Sequence, residues 1–126
     1  MSTGHVEYAS LNGTHIFKLI GEVRAHSCIS LDKLLNRIEQ QQNVVGAIVD
    51  LTETTFIDST VLGVLAKLGL KLKQVHHIQA VMLSTNPDIT KRSVERFKDG
   101  VVINTAPNHG ALYALPTDLR YAVQDN

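Results

Sequence analysis

The stretch VVGAIVDLTETTFIDSTVLGVLAKLGLKLKQ, Val44 to Gln74, decides how this chain folds. Val44 to Leu51 is nearly continuous apolar sequence, short and without alternation. That pattern predicts a strand covered on both faces, as in a parallel sheet. After Asp58 the spacing changes. Val61, Leu62, Leu65, Leu68 and Leu72 recur at helical intervals, with Lys67, Lys71 and Gln74 on the other side. Residues 58–74 therefore read as an amphipathic helix. In this reading Asp50 ends the strand and Asp58 opens the helix.

Working outward, two β-type runs precede this unit, His5–Ser10 and Thr14–Ile20. Between them lies Leu11-Asn12-Gly13, and Asn-Gly is a strong hairpin signal. Gly21 ends the second run. Leu31, Leu34, Leu35 and Ile38 then mark one face of a helix within Cys28–Gln40, with Ser27 and Ser30 as available N-caps. Downstream, Ile78–Leu83 reads as a buried strand. Asn86-Pro87-Asp88 reads as a helix start, because proline suits the first turn. The helix over 88–98 looks only weakly amphipathic. Asp99-Gly100 is a turn, Val101–Ile103 a short strand, and Asn108–Leu115 a short helix stopped by Pro116; the tail from Thr117 has no assigned element. Strands alternating with helices predict an α/β fold with right-handed crossovers. The opening hairpin makes the sheet mixed, with about four α-helices.

The chain has 126 residues, which fits one domain. We read a single domain over 1–126, with a core over about 5–115 and a tail over 116–126. Lys plus Arg balance Asp plus Glu at 12 each, so charge favours neither nucleic acid nor a membrane surface as partner. The first 60 residues are mildly acidic and the remainder mildly basic. Cys28 is the single cysteine, which excludes an internal disulfide and suits a reducing compartment. MSTGHVEYAS has neither a basic n-region nor an apolar h-region, and no apolar run approaches the ~20 residues that span a bilayer. The expectation is a cytoplasmic protein without membrane insertion.

The chemical motifs are sparse. His5, His15, His26, His76, His77 and His109 form no metal-ligand spacing, so they read as surface or turn histidines and no metal is expected. No glycine-rich phosphate cradle is present and no cofactor is expected. Gly63 and Gly69 lie inside the helix, where glycine costs ~1 kcal/mol relative to alanine. Packing or the close approach of another chain would justify them. Ser59 is not in a nucleophile-elbow motif, Cys28 has no evident base, and Asp50 with Asp58 is an unconvincing acid/base pair. The chain reads as a non-enzyme, and a hydrolase using Ser59 is the outside reading.

Asp58-Ser59-Thr60 admits two readings. Locally, Asp58 is a good N-cap favoured by the helix dipole. But a first-turn serine after a strand is accessible, on the edge where α/β folds place their sites. A phosphate there would add about −1.5 to −2 charge, which the helix N-terminus tolerates. With Asp58 alongside, the patch would become strongly acidic and repel a partner fitted to a neutral hydroxyl.

This central stretch resembles the signature of STAS domains, specifically the anti-sigma factor antagonists. Asp50-Leu51 match the family's strand end, and Phe56-Ile57-Asp58-Ser59-Thr60 match its helix start. IGEVRAHS, Ile20 to Ser27, resembles the Gly-Glu-Leu-Asp segment, and LSTNPDITKRSVERFKDGVVINTAPNHGALYAL resembles the remaining elements. The resemblance implies a STAS-like α/β fold. It also implies a partner switch: the unmodified protein binds an anti-sigma factor, often a serine kinase, which phosphorylates the antagonist and is released. A serine phosphatase resets it. Carried over by position, Ser59 is the phosphoacceptor, and Glu22, Arg24, Asp58, Ser59, Thr60 and Gly63 belong to the partner-binding face. Two positions depart from the family pattern. Val61 replaces a glycine, and Arg24 replaces the aspartate of Gly-Glu-Leu-Asp. STAS domains also occur in lipid and anion transport complexes, which is the alternative reading.

Overall fold

The hairpin forms where Asn-Gly placed it. In the computed structural model, which describes residues 4–25, 29–97, 101–104 and 121–123, β1 (His5–Leu11) pairs antiparallel with β2 (Thr14–Val23), Leu11 opposite Thr14. Asn12 and Gly13 both have positive φ, 51° and 87°. This is the backbone a tight hairpin turn needs, and glycine adopts it without steric penalty.

The remaining elements follow in chain order: α1 (Ile29–Glu39), β3 (Gly46–Ile57), α2 (Ser59–Lys71), β4 (Ala80–Leu83), α3 (Pro87–Phe97), β5 (Val101–Asn104) and β6 (Tyr121–Val123). The described strands form one sheet in the order β5-β4-β3-β2-β1-β6. β2 to β5 run parallel, while β1 is antiparallel to both β2 and β6. The mixed sheet is as expected, and β6 in the unassigned tail is an addition. Three α-helices lie among the described residues. The expected helix over 108–115 falls outside them.

One sheet face carries the core. Tyr8, Phe17, Val49 and Met82 lie in register across four strands, and all are buried. Leu31, Leu34, Leu35 and Ile38 of α1, the Val61-Leu62-Leu65-Leu68 stripe of α2, and Ile89 and Phe97 of α3 join them in a single cluster. Each such side chain contributes ~1.5–3 kcal/mol of burial. The opposite face holds a thinner stripe, Ala9, Ile16, Ile48 and Val81, of which Ile48 and Val81 are only partly buried. So β3 is fully covered on one face and partly on the other, and Val45, expected inside the strand, precedes it at 60% exposure.

β3 is also longer than its apolar run. It does not end at Asp50 but continues through Thr52–Thr55 to Ile57. Register shifts against β2 fall between Lys18 and Ile20 and between Gly21 and Glu22, each accommodating an extra residue of β3. Asp50 is buried, and its Oδ1 accepts from the Thr52 amide (2.8 Å) and hydroxyl (2.6 Å). The buried Thr54 hydroxyl donates to the Leu19 carbonyl at 2.6 Å. Local side-chain bonds thus hold a polar segment in the sheet where hydrophobicity gave no strand signal. Gly21 does not end β2 either: it sits within the strand at φ 81°, beside the second shift.

Three helix details differ from expectation. Ser30 falls inside α1 rather than capping it, and Ser27 lies outside the described residues. α2 gives way at Leu72 to a π-helical turn, Leu72–His76, closed by His77 in the left-handed conformation. α3 is clearly amphipathic. It buries Ile89, Ser93 and Phe97 and exposes Asp88, Lys91, Glu95 and Arg96. Its start is as read: the Asn86 carboxamide oxygen accepts from the Asp88 (2.9 Å) and Ile89 (3.4 Å) amides, with Pro87 in the first turn.

Candidate functional site

Ile57 is fully buried at the end of β3, so the next residue leaves the sheet at a fixed place. That residue is Asp58. Its backbone is extended (φ −86°, ψ 167°), and its Oδ1 accepts from the Val61 amide at 2.9 Å, which makes it the N-cap of α2. Its other oxygen, Oδ2, accepts from the Ala25 amide at 2.8 Å, and its own amide donates to the Val23 carbonyl at 3.1 Å. One carboxylate therefore starts the helix and ties the segment after β2 to it. The two segments singled out in the sequence form one surface through this residue.

Ser59 and Thr60 are exposed in the first turn of α2. Glu22 is half-buried and stands opposite Phe56 across β2 and β3. Arg24 is exposed, with its guanidinium 4.2 Å from the centre of the Phe56 ring, a cation–π contact. Gly63 follows Ser59 by one helical turn on the same face. All six expected residues thus lie around the β3–α2 junction. Val61, which replaces the family's glycine, is buried and points into the core rather than toward a partner.

Around the unmodified Ser59 the charges are of both signs. Both Asp58 oxygens are occupied by backbone amides. Ser59 lines a hollow of about 490 Å³ with Thr60, Gly63, Lys67, Arg96 and Asp32. A second hollow joins Ser59 to Leu62, Arg92, Glu95 and Arg96. Arg92 is anchored, its Nη1 donating to the Ile57 carbonyl at 2.5 Å. Arg96 lies against Gly63, whose missing side chain leaves it room. These α3 arginines were not found from the sequence. Their i, i+4 spacing in KRSVERF was visible, but nothing local says that α3 lies beside α2.

One histidine departs from the surface reading. His15 is buried, stacked against Tyr8 (ring centres 5.9 Å apart) with Nδ1 2.7 Å from the Tyr8 hydroxyl. Burial holds its pKa below the ordinary histidine value, and the charge of His76 adds to the effect. Among the described residues no group of three or more His, Cys, Asp or Glu side chains is placed to hold a metal ion. No helix among them is long and apolar enough to cross a membrane.

The model of the STAS domain matches residues 5–110, from β1 through the whole junction. The chain belongs to the STAS domain family. No curated protein matches it. Among solved structures, the anti-sigma factor antagonist SpoIIAA in its unphosphorylated form is similar at 19% identity and a TM-score of 0.69, over 86% of this chain and 94% of that one. The Bacillus cell fate determinant SpoIIAA in the phosphorylated form is similar at 17% identity and a TM-score of 0.67, over 85% and 96%. At these identities the likeness is one of fold. This STAS chain has the mixed α/β sheet that the family resemblance implied, with three of the helices among the described residues.

Proposed function

We propose that this STAS domain is an anti-sigma factor antagonist, a phosphorylation-controlled binding module of a partner-switching pathway in the cytoplasm. Unmodified, it binds an anti-sigma factor with serine kinase activity through the surface of Glu22, Arg24, Asp58, Ser59, Thr60 and Gly63. The kinase then transfers the γ-phosphoryl group of ATP to Ser59 Oγ. The bond to the β-phosphate breaks, ADP leaves and the hydroxyl proton is lost to solvent or a kinase base. The complex dissociates. A serine phosphatase returns Ser59 and inorganic phosphate by hydrolysis.

The observation that carries this reading is the position of Ser59: exposed in the first turn of a helix whose start Asp58 locks to the neighbouring loop. A kinase reaches the hydroxyl without unfolding anything, and the helix N-terminus accommodates the new charge. The similar fit to SpoIIAA structures of both phosphorylation states supports a switch that keeps the fold. The test is incubation with the cognate kinase and ATP, followed by mass spectrometry and pull-down. The expected result is one phosphate on Ser59, with the partner retained by Ser59→Ala and lost by Ser59→Asp. No phosphate on Ser59, or equal binding by both variants, overturns the reading.

A further inference from the structure

We propose that Arg96 is an intramolecular receiver for a phosphoryl group on Ser59, so that modification both adds an anion and withdraws a cation from the partner-facing surface. This rests on Ser59 as the phosphoacceptor. Ser59 and Gly63 are one turn apart on α2, which puts their Cβ positions roughly 5–6 Å apart on one face. Gly63 has no Cβ, and the space is taken by Arg96: Nη2 lies 2.8 Å from where that Cβ would be, and Cζ and Nε lie at 3.7 and 3.8 Å. A guanidinium from α3 therefore rests on α2 beside the serine, and Arg96 lines both hollows that hold Ser59.

The other charged groups do not replace it. Arg92 is held by the Ile57 carbonyl, and both Asp58 oxygens are held by amides. Lys67 lies further along α2 in the first hollow. Asp32 and Glu95 supply one carboxylate to each hollow against two cations, so each lining keeps an excess of positive charge until phosphate arrives. Arg96 is exposed, so its side chain can turn toward a phosphate, and its planar fork matches phosphate oxygens bidentately. Before modification the same guanidinium is exposed on the surface beside Ser59.

The experiment installs phosphoserine at position 59 of the full chain during translation and follows its titration by phosphorus NMR. In the unsubstituted chain the second phosphate pKa should lie below the usual value of about 6. Arg96→Ala should raise it by about one pH unit, the scale expected for a cation in contact. Gly63→Ala should raise it too, because the new methyl occupies the guanidinium's place. The helix N-terminus and Lys67 are common to all three proteins, so the difference isolates Arg96. A phosphate pKa unchanged by Arg96→Ala in a folded protein overturns the proposal. The kinase plays no part here, so failure of Ser59 to be phosphorylated in the assay above is a separate result.

Discussion

Asp58 shows how much one side chain can organise. As a cap alone, its loss would cost ~1 kcal/mol. Here it also holds the Ala25 amide, so Asp58→Ala should lower stability by about 1–2 kcal/mol in urea denaturation. Amide exchange at Ala25 should accelerate in the same variant, and Asp58→Asn should lose less, since Oδ1 can still cap. His15 makes a second prediction at this scale. Its folded pKa lies below its unfolded value, so the fold prefers the neutral ring. Stability should be complete above the ordinary histidine pKa of about 6.5 and fall as pH drops toward the lower folded value. Urea midpoints measured between pH 7.5 and pH 5 should show that fall, and a His15→Gln variant should flatten it. Neither property was legible in the residues themselves. Aspartate at a helix start predicted the cap but not its second partner. A histidine in a hairpin gave no sign that Tyr8, diagonal to it across the strands, would bury it.

The elements were legible wherever their signal was local. The α1 and α2 stripes follow helical periodicity, and the Asn12-Gly13 turn follows from the positive φ both residues adopt. Gly13→Ala should therefore destabilise the hairpin. A Cβ at that position would lie 2.4 Å from the Asn43 carbonyl oxygen, on a backbone that disfavours L side chains by about 1–2 kcal/mol. A loss of at least that size is expected in thermal or urea denaturation. Gly63→Ala should behave differently. It meets only the far end of an exposed arginine, so the gain in helix propensity, up to ~1 kcal/mol, should survive. Calorimetry should find the variant as stable as the parent or more so. β3 runs past its apolar signal because its second half is polar. Thr54 and Asp50 are held in or beside the sheet by hydrogen bonds, which hydropathy does not register. The apolar signal of α3 is faint in sequence because its buried stripe is narrow and includes Ser93.

Across the whole molecule, the proposed switch residue lies on the rim of a sheet whose core is elsewhere. Ser59 is exposed while Ile57, Val61 and Leu62 around it are buried. Ser59→Ala and Ser59→Asp should both remain within ~0.5 kcal/mol of the parent in denaturation experiments, so any difference in partner binding is a property of the surface. The sequence by itself determined the alternation of strands and helices, the mixed sheet, the hairpin turn, the capping role of Asp58 and the accessibility of Ser59. The hairpin turn, the cap and the exposed serine depend on residues within a turn or two of one another, and periodicity records which face each element buries. The tertiary structure decided what stands next to Ser59. Crossovers in the parallel sheet lay α3 alongside α2, and Arg92 and Arg96 arrive at the junction from a distant part of the chain. They add cations beside Ser59 that its neighbours in sequence do not supply. An amphipathic pattern states that a helix has an inner face but not which helix lies beside its outer one, and the charge around Ser59 is set by that neighbour.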